Sequence, residues 1–120
     1  MKETDKKEIC PVRDIIARLS DKWSLLVIIV LHREGTARFS KIQKELDDIS
    51  QRMLTVTLRS LEADGLVSRR VFAEIPPRVE YELTALGESL LPPLQSLVKW
   101  ALENKDEVLE QRKAHAEKVS

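Results

Sequence analysis

Arg52, Thr55 and Arg59 recur at helical spacing in the stretch running from Ser50 to Gly65, and together they can recognise an anionic polymer. A guanidinium pairs bidentately with guanine O6 and N7 or holds a phosphate, and a threonine hydroxyl meets either kind of base edge. The stretch reads as one helix with a marked start and stop. Ser50 can cap the free N–H groups of its first turn, and Gly65 can supply the left-handed residue that ends it. Leu54, Leu58 and Leu61 make one apolar face, while Arg52, Thr55, Val56, Arg59 and Ser60 make the other, with Glu62 and Asp64 aside or at the end. Gln51 and Ser50 stand at the N-terminal end, where unbonded N–H groups attract a phosphate. Alone, the stretch reads first as an ordinary surface helix, with Ser50 only capping and Arg59 paired to Glu62 or Asp64; its neighbours shift the balance.

Elsewhere the chemistry is sparse. Cys10 is the single cysteine, so an intrachain disulfide is excluded and a reducing compartment is expected. Pro11 suits the first position of a helix. A helix beginning there, with Lys6, Lys7 and Arg13 nearby, would favour the thiolate. The competing reading is a small side chain packed at a subunit interface. A sensor built on Cys10 would need an intersubunit disulfide, a mixed disulfide or an adduct. His32 and His115 have no partner at ligand spacing, so neither a metal nor a cofactor is expected. Trp23 and Trp100 read most simply as core aromatics, with a ligand pocket between them as the alternative. With no nucleophile–base pair and no phosphate-binding glycine loop, an enzyme is not expected.

The elements that must position these residues can be read in order. The chain has 120 residues, enough for one domain, and a formal net charge of zero, which counts against nucleic-acid binding. The charge is unevenly spread: residues 38–78 hold eight Lys/Arg against six acids, and residues 79–120 five against eight. No signal peptide or membrane-length apolar run is expected, and residues 1–8 and 111–120 read as a loose arm and tail. Ile15, Ile16 and Leu19 stripe a first helix. Trp23 to Leu31 is apolar nearly all round; strand competes, but Asp21 as cap and Gly35 as terminator favour a central core helix. Phe39, Ile42 and Leu46 line a short helix, and Asp47-Asp48-Ile49 joins it to the Ser50 helix as a helix-turn-helix. Residues 66–72 and 78–83 are strand-like, the second alternating cleanly, around Ala73-Glu-Ile-Pro-Pro77, a proline-marked hairpin turn. The fold expected is therefore mainly α with a β-hairpin: a winged helix-turn-helix over residues 9–110, with recognition helix 50–64 and wing 73–78.

Thr84 caps a last helix, carried on by Leu86, Leu90, Leu91, Leu94, Leu97, Val98, Ala101 and Leu102, and bent or interrupted by Pro92 and Pro93. That stripe and the first helix leave more apolar surface than one copy covers, so helices 9–20 and 84–110 are expected to form a two-fold dimer. Two weak half-site contacts joined rigidly would offset the missing basic excess. Candidate contacts beyond the recognition helix are Arg78 at the tip of the wing, for phosphate or the minor groove, and Arg38, Lys41 and Lys44, which either face phosphates or are merely solvated. Arg69 and Arg70 either flank the wing or pair with Glu80 or Glu82 across the strands.

Cys10-Pro11-Val12, Asp21-Lys22-Trp23, Met53-Leu54-Thr55, Leu61-Glu62, Asp64-Gly65-Leu66-Val67, Pro76-Pro77-Arg78-Val79-Glu80-Tyr81 and Gly87 resemble the HxlR family of bacterial winged-helix transcription regulators, across about residues 9–101. The resemblance implies a cytoplasmic homodimer on double-stranded DNA, with a palindromic operator, and, in some members, an N-terminal cysteine that senses electrophiles or oxidants. A small-molecule or electrophile effector is compatible with it. The competing class is a winged helix used only for protein contacts.

Overall fold

The computed structural model describes residues 6–119; residues 1–5 of the expected arm, and Ser120, lie outside them. The described residues form two compact units, divided between Ser89 and Leu90.

The first unit is built around α2 (Ser24–Glu34), which touches α1 (Lys6–Leu19), α3 (Phe39–Leu46), α4 (Gln51–Ala63) and the sheet. Its apolar circumference explains this place: Val27, Ile28, Val30 and Leu31 are all buried, beside Ile42, Ile49, Leu54, Leu58 and Leu61. Asp21 supplies the cap, accepting from the backbone N–H of Trp23 at 2.9 Å and of Ser24 at 2.7 Å. Gly35, at φ +80°, ends the helix.

Three antiparallel strands, β1 (Thr36–Ala37), β2 (Val67–Phe72) and β3 (Arg78–Leu83), pair in the order β1-β3-β2. The β2–β3 register sets Val67 opposite Leu83, Arg69 opposite Tyr81 and Arg70 opposite Glu80. Successive side chains alternate, so Arg69 shares a face with buried Val67, and Arg70 lies on the other.

Hydrogen bonds close the end of α4 and the start of α5 (Ala85–Ser89) on each other. Leu66 N–H bonds to Leu61 O and Gly65 N–H to Glu62 O, both at 3.0 Å, a Schellman ending with Gly65 at φ +76°. Thr84 donates its hydroxyl to Gly65 O at 2.6 Å and accepts from Gly87 N–H at 3.1 Å. A Cβ on Gly87 would run into the Leu66 carbonyl, so only glycine fits there.

Three boundaries differ from expectation, the third at the end of the last helix. The α1 helix begins at Lys6, one turn early, because Lys-Lys-Glu is a good helix-forming run. Pro11 is therefore inside the helix, and Cys10 is in its second turn, away from the free N–H groups invoked for it. The expected last helix is divided at Leu90 into α5 and α6 (Leu91–Val119). Pro92 and Pro93 fall in the first turn of α6, where a missing N–H costs no hydrogen bond.

The second unit is α6 itself. It continues through residues 111–119, read from composition as loose, because Glu, Gln, Lys and Ala there are strong helix formers. Leu97, Trp100, Leu102 and Leu109 are more than half exposed along it. No helix among the described residues is long and apolar enough to cross a membrane.

Candidate nucleic-acid interface

The turn that aims α4 is fixed by short-range bonds. Asp47 ends α3 at φ +61° and ψ −70°, the centre of a γ-turn closed by Asp48 N–H on Leu46 O at 2.8 Å, with its own N–H bonded to Gln43 O at 2.9 Å. The Gln43 amide reaches across to Ile49 O at 3.4 Å, and buried Ile49 anchors the connector. Ser50 then caps α4, its hydroxyl accepting from Met53 N–H at 3.0 Å. Leu54, Thr57, Leu58 and Leu61 are buried beneath. Thr57 survives burial because its hydroxyl bonds back to Met53 O at 2.8 Å.

The opposite face carries exposed Gln51, Arg52, Met53, Val56 and Arg59. Neither Arg52 nor Arg59 has a hydrogen-bond or ion-pair partner among the described residues; of the two acids expected to compete for Arg59, Glu62 makes no bond to it and Asp64 is engaged elsewhere. Asp64 instead takes Arg18 Nε at 2.8 Å, while Arg18 Nη2 lies 3.4 Å from Ser60 O. This exposed bond ties α1 to the last turn of α4, and Asp64 raises the Arg18 guanidinium further above its usual range, by hydrogen bond and then by charge. The Thr55 hydroxyl donates to Gln51 O at 2.9 Å, so toward a base edge it offers its remaining lone pairs. Met53 and Val56 add apolar contact of the kind that meets a thymine methyl.

The other candidate cations divide. Lys41 is paired with Glu45 at 3.0 Å, and Arg33 takes the second Glu45 oxygen at 2.9 Å. That hydrogen bond from Lys41, then its charge, holds the Glu45 carboxyl below its usual range and lifts the Lys41 ammonium above its own. Arg38 and Lys44 are exposed and have no ion pair among the described residues. Arg78 is at the foot of the wing loop rather than its tip. It stacks 4.1 Å from the Phe72 ring centroid and lies 3.3 Å from Glu74 and 3.4 Å from Glu80. The tip is instead Ile75, fully exposed before a cis bond to Pro76. Arg70, opposite Glu80, leaves that acid to Arg78 and has only a distant approach to Phe72, 6.0 Å. Arg69 turns toward α4, lining a cavity with Arg59 and Tyr81.

One residue with a structural consequence, Arg18, escaped the sequence, and a second, Arg69, was named without its place beside α4. Nothing local links Arg18 to a residue 46 positions away. Arg69 was legible in principle, since strand alternation puts it on the Val67 side. Among the described residues, no cluster of three His, Cys, Asp or Glu could hold a metal ion.

This geometry recurs among known proteins. The chain is 45% identical over 96 residues to an uncharacterised HTH-type transcriptional regulator of Methanothermobacter thermautotrophicus (strain Delta H), covering 80% of this chain and 72% of that protein. It is 38% identical over 109 residues to the uncharacterised HTH-type transcriptional regulator YtfH of Escherichia coli K12, covering 91% and 86%. Among solved structures, the redox regulator HypR in its reduced form superposes with a TM-score of 0.76 at 39% identity, over 84% of this chain and 98% of that one. The HxlR-like helix-turn-helix profile matches residues 18–109, from the arginine that clasps α4 to well along α6. With the capped turn, the outward α4 and the β2–β3 wing all inside that span, the chain belongs to the HxlR-like helix-turn-helix family.

Proposed function

We propose that two copies of this chain form a DNA-binding transcriptional regulator, with α4 in the major groove of each half-site and residues 73–78 along the neighbouring backbone or minor groove. The observation that carries this reading is the outer face of α4, where Arg52 and Arg59 are exposed and unpaired on a chain of zero net charge. Ser50, Gln51 and Thr55 contribute from the same helix, and Arg38 and Lys44 reach phosphates across the turn. Lys41 and Arg78 join them once released from Glu45 and from Glu74 and Glu80. The second copy covers the exposed stripe of α1, where Ile9, Val12, Ile15 and Ile16 are 44–57% exposed, and, separately, that of α6.

Cys10 is exposed on the same α1, and a redox regulator is among the similar structures, which supports a thiol-sensing role at the subunit interface. A maleimide that labels the native chain only after denaturation would remove that role.

DNase footprinting on the region upstream of its own gene tests the main reading. Two protected half-sites about 34 Å apart, centre to centre, are expected, with analytical ultracentrifugation showing a dimer. A monomer, or protection lost without a change in folding only when the wing is altered and not α4, would refute it.

A further inference from the structure

Between α4 and the sheet lies a cavity of about 360 Å³, lined by Arg59, Arg69, Glu62, Thr55, Tyr81 and Phe39, with Leu58 at its back. Its volume is near the lower end of the roughly 300–1,000 Å³ usual for small-molecule sites. The two guanidiniums come from different elements, α4 and β2, and neither has a partner among the described residues. The Tyr81 hydroxyl and the Glu62 carboxylate also make no bond there. Two cations and one carboxylate leave the cavity one positive charge in excess; its lining is mainly polar, with Phe39, the Tyr81 ring and Leu58 supplying an apolar wall. A guanidinium holds a planar carboxylate or a phosphate with two parallel bonds, and of the two free anions the carboxylate carries the single charge that matches the excess. Glu62 repels a second negative charge and offers an acceptor to a hydroxyl on the ligand.

We propose that this cavity is an effector site for a small organic monocarboxylate with a flat apolar body, held by Arg69 and Arg59. Arg59 also belongs to the DNA-facing surface of α4, so the carboxylate and the operator compete for it. This second half rests on the reading of α4 as the DNA-binding helix; the binding half does not.

Benzoate is the probe, titrated into the full chain by calorimetry without DNA, with inorganic phosphate as competitor. Saturable binding is expected, weakened at least tenfold by Arg69→Ala, partly retained by Arg69→Lys, and little affected by phosphate. Absence of saturable binding overturns the site, as does binding indifferent to Arg69→Ala in a variant whose circular dichroism matches the parent. Phosphate displacing benzoate with equal strength also overturns it, because the cavity then seats the DNA backbone. In gel shifts, benzoate should release DNA from the parent chain and not from Arg69→Ala; DNA binding untouched by saturating benzoate refutes the competition. A parent chain that binds no DNA defeats the regulator reading, while the calorimetry still decides the cavity.

Discussion

Arg59 and Arg78 carry the same charge and were expected at the same ligand, yet the fold treats them differently. Arg59 stands on α4 with no acid or carbonyl engaged among the described residues. Arg78 is half-buried against Phe72 with Glu74 and Glu80 beside it. Its Nε lies 3.4 Å from Glu80 without making a hydrogen bond, so the ion pair is loose but the guanidinium is enclosed. The same division separates Arg52 from Lys41, which is paired one turn along α3. A cation already held must give up its partner before it can meet a phosphate, while an unpaired one gives up only water. The helix face is therefore ready for an anion, and Arg78 on the wing and Lys41 on α3 are held back.

The largest effect expected follows directly. Arg52→Ala and Arg59→Ala should each weaken operator binding by about 1–3 kcal/mol if they read bases, while Lys41→Ala and Arg78→Ala should cost less. Fluorescence anisotropy at fixed salt measures all four. Equal losses across the four variants would erase the distinction between held and free cations.

Most of the fold was legible because its signals are local. The Ser50 cap, the Gly65 ending, the Leu54–Leu58–Leu61 face and the strand alternation each lie within a few residues, and each appears in the structure. Side-chain commitments were less legible because they are tertiary. Asp64 seemed free for Arg59, but α1 brings Arg18 to it. Arg78 seemed a wing-tip residue, but the register sets it opposite Phe72, below Ile75. Helix ends also slipped where no strong signal stood. Lys-Lys-Glu carried α1 upstream of Pro11, and a proline pair read as a breaker proved to be a helix start.

The free arginines are only as well aimed as the turn that starts their helix. Ser50→Ala removes the bond from Met53 N–H and should destabilise the chain by about 1 kcal/mol, within a range of roughly 0.5–2. Chemical denaturation reads this through the midpoint, with the slope unchanged. A midpoint identical to the parent's would mean that the buried leucines alone hold the start of α4.

A smaller effect should run the other way at the wing. Glu80→Gln combined with Glu74→Gln leaves Arg78 on Phe72 without its acids. Affinity for DNA should rise modestly, and the salt dependence of binding should steepen by about one phosphate contact. A slope that does not move would place Arg78 out of reach of the backbone in either state.

The smallest effect is the Lys41–Glu45 pair, which is exposed and screened. Glu45 is held below its ordinary value of 4.5, chiefly by the hydrogen bond from Lys41. A depressed carboxyl stabilises the folded chain at pH above its ordinary value, and that contribution disappears as pH falls through the folded value. Lys41 is lifted above 10.5 by the same bond, so its contribution is complete below that value and is lost as pH rises through the folded one. The pair is therefore intact throughout the neutral range. An NMR titration of the Glu45 side chain should show a midpoint below 4.5 that moves back toward it in Lys41→Ala. Were the midpoint unmoved, Arg33, 2.9 Å from the other carboxylate oxygen, would be the residue that holds Glu45. Lys41 would then rank with Arg52 and Arg59 among the cations open to DNA.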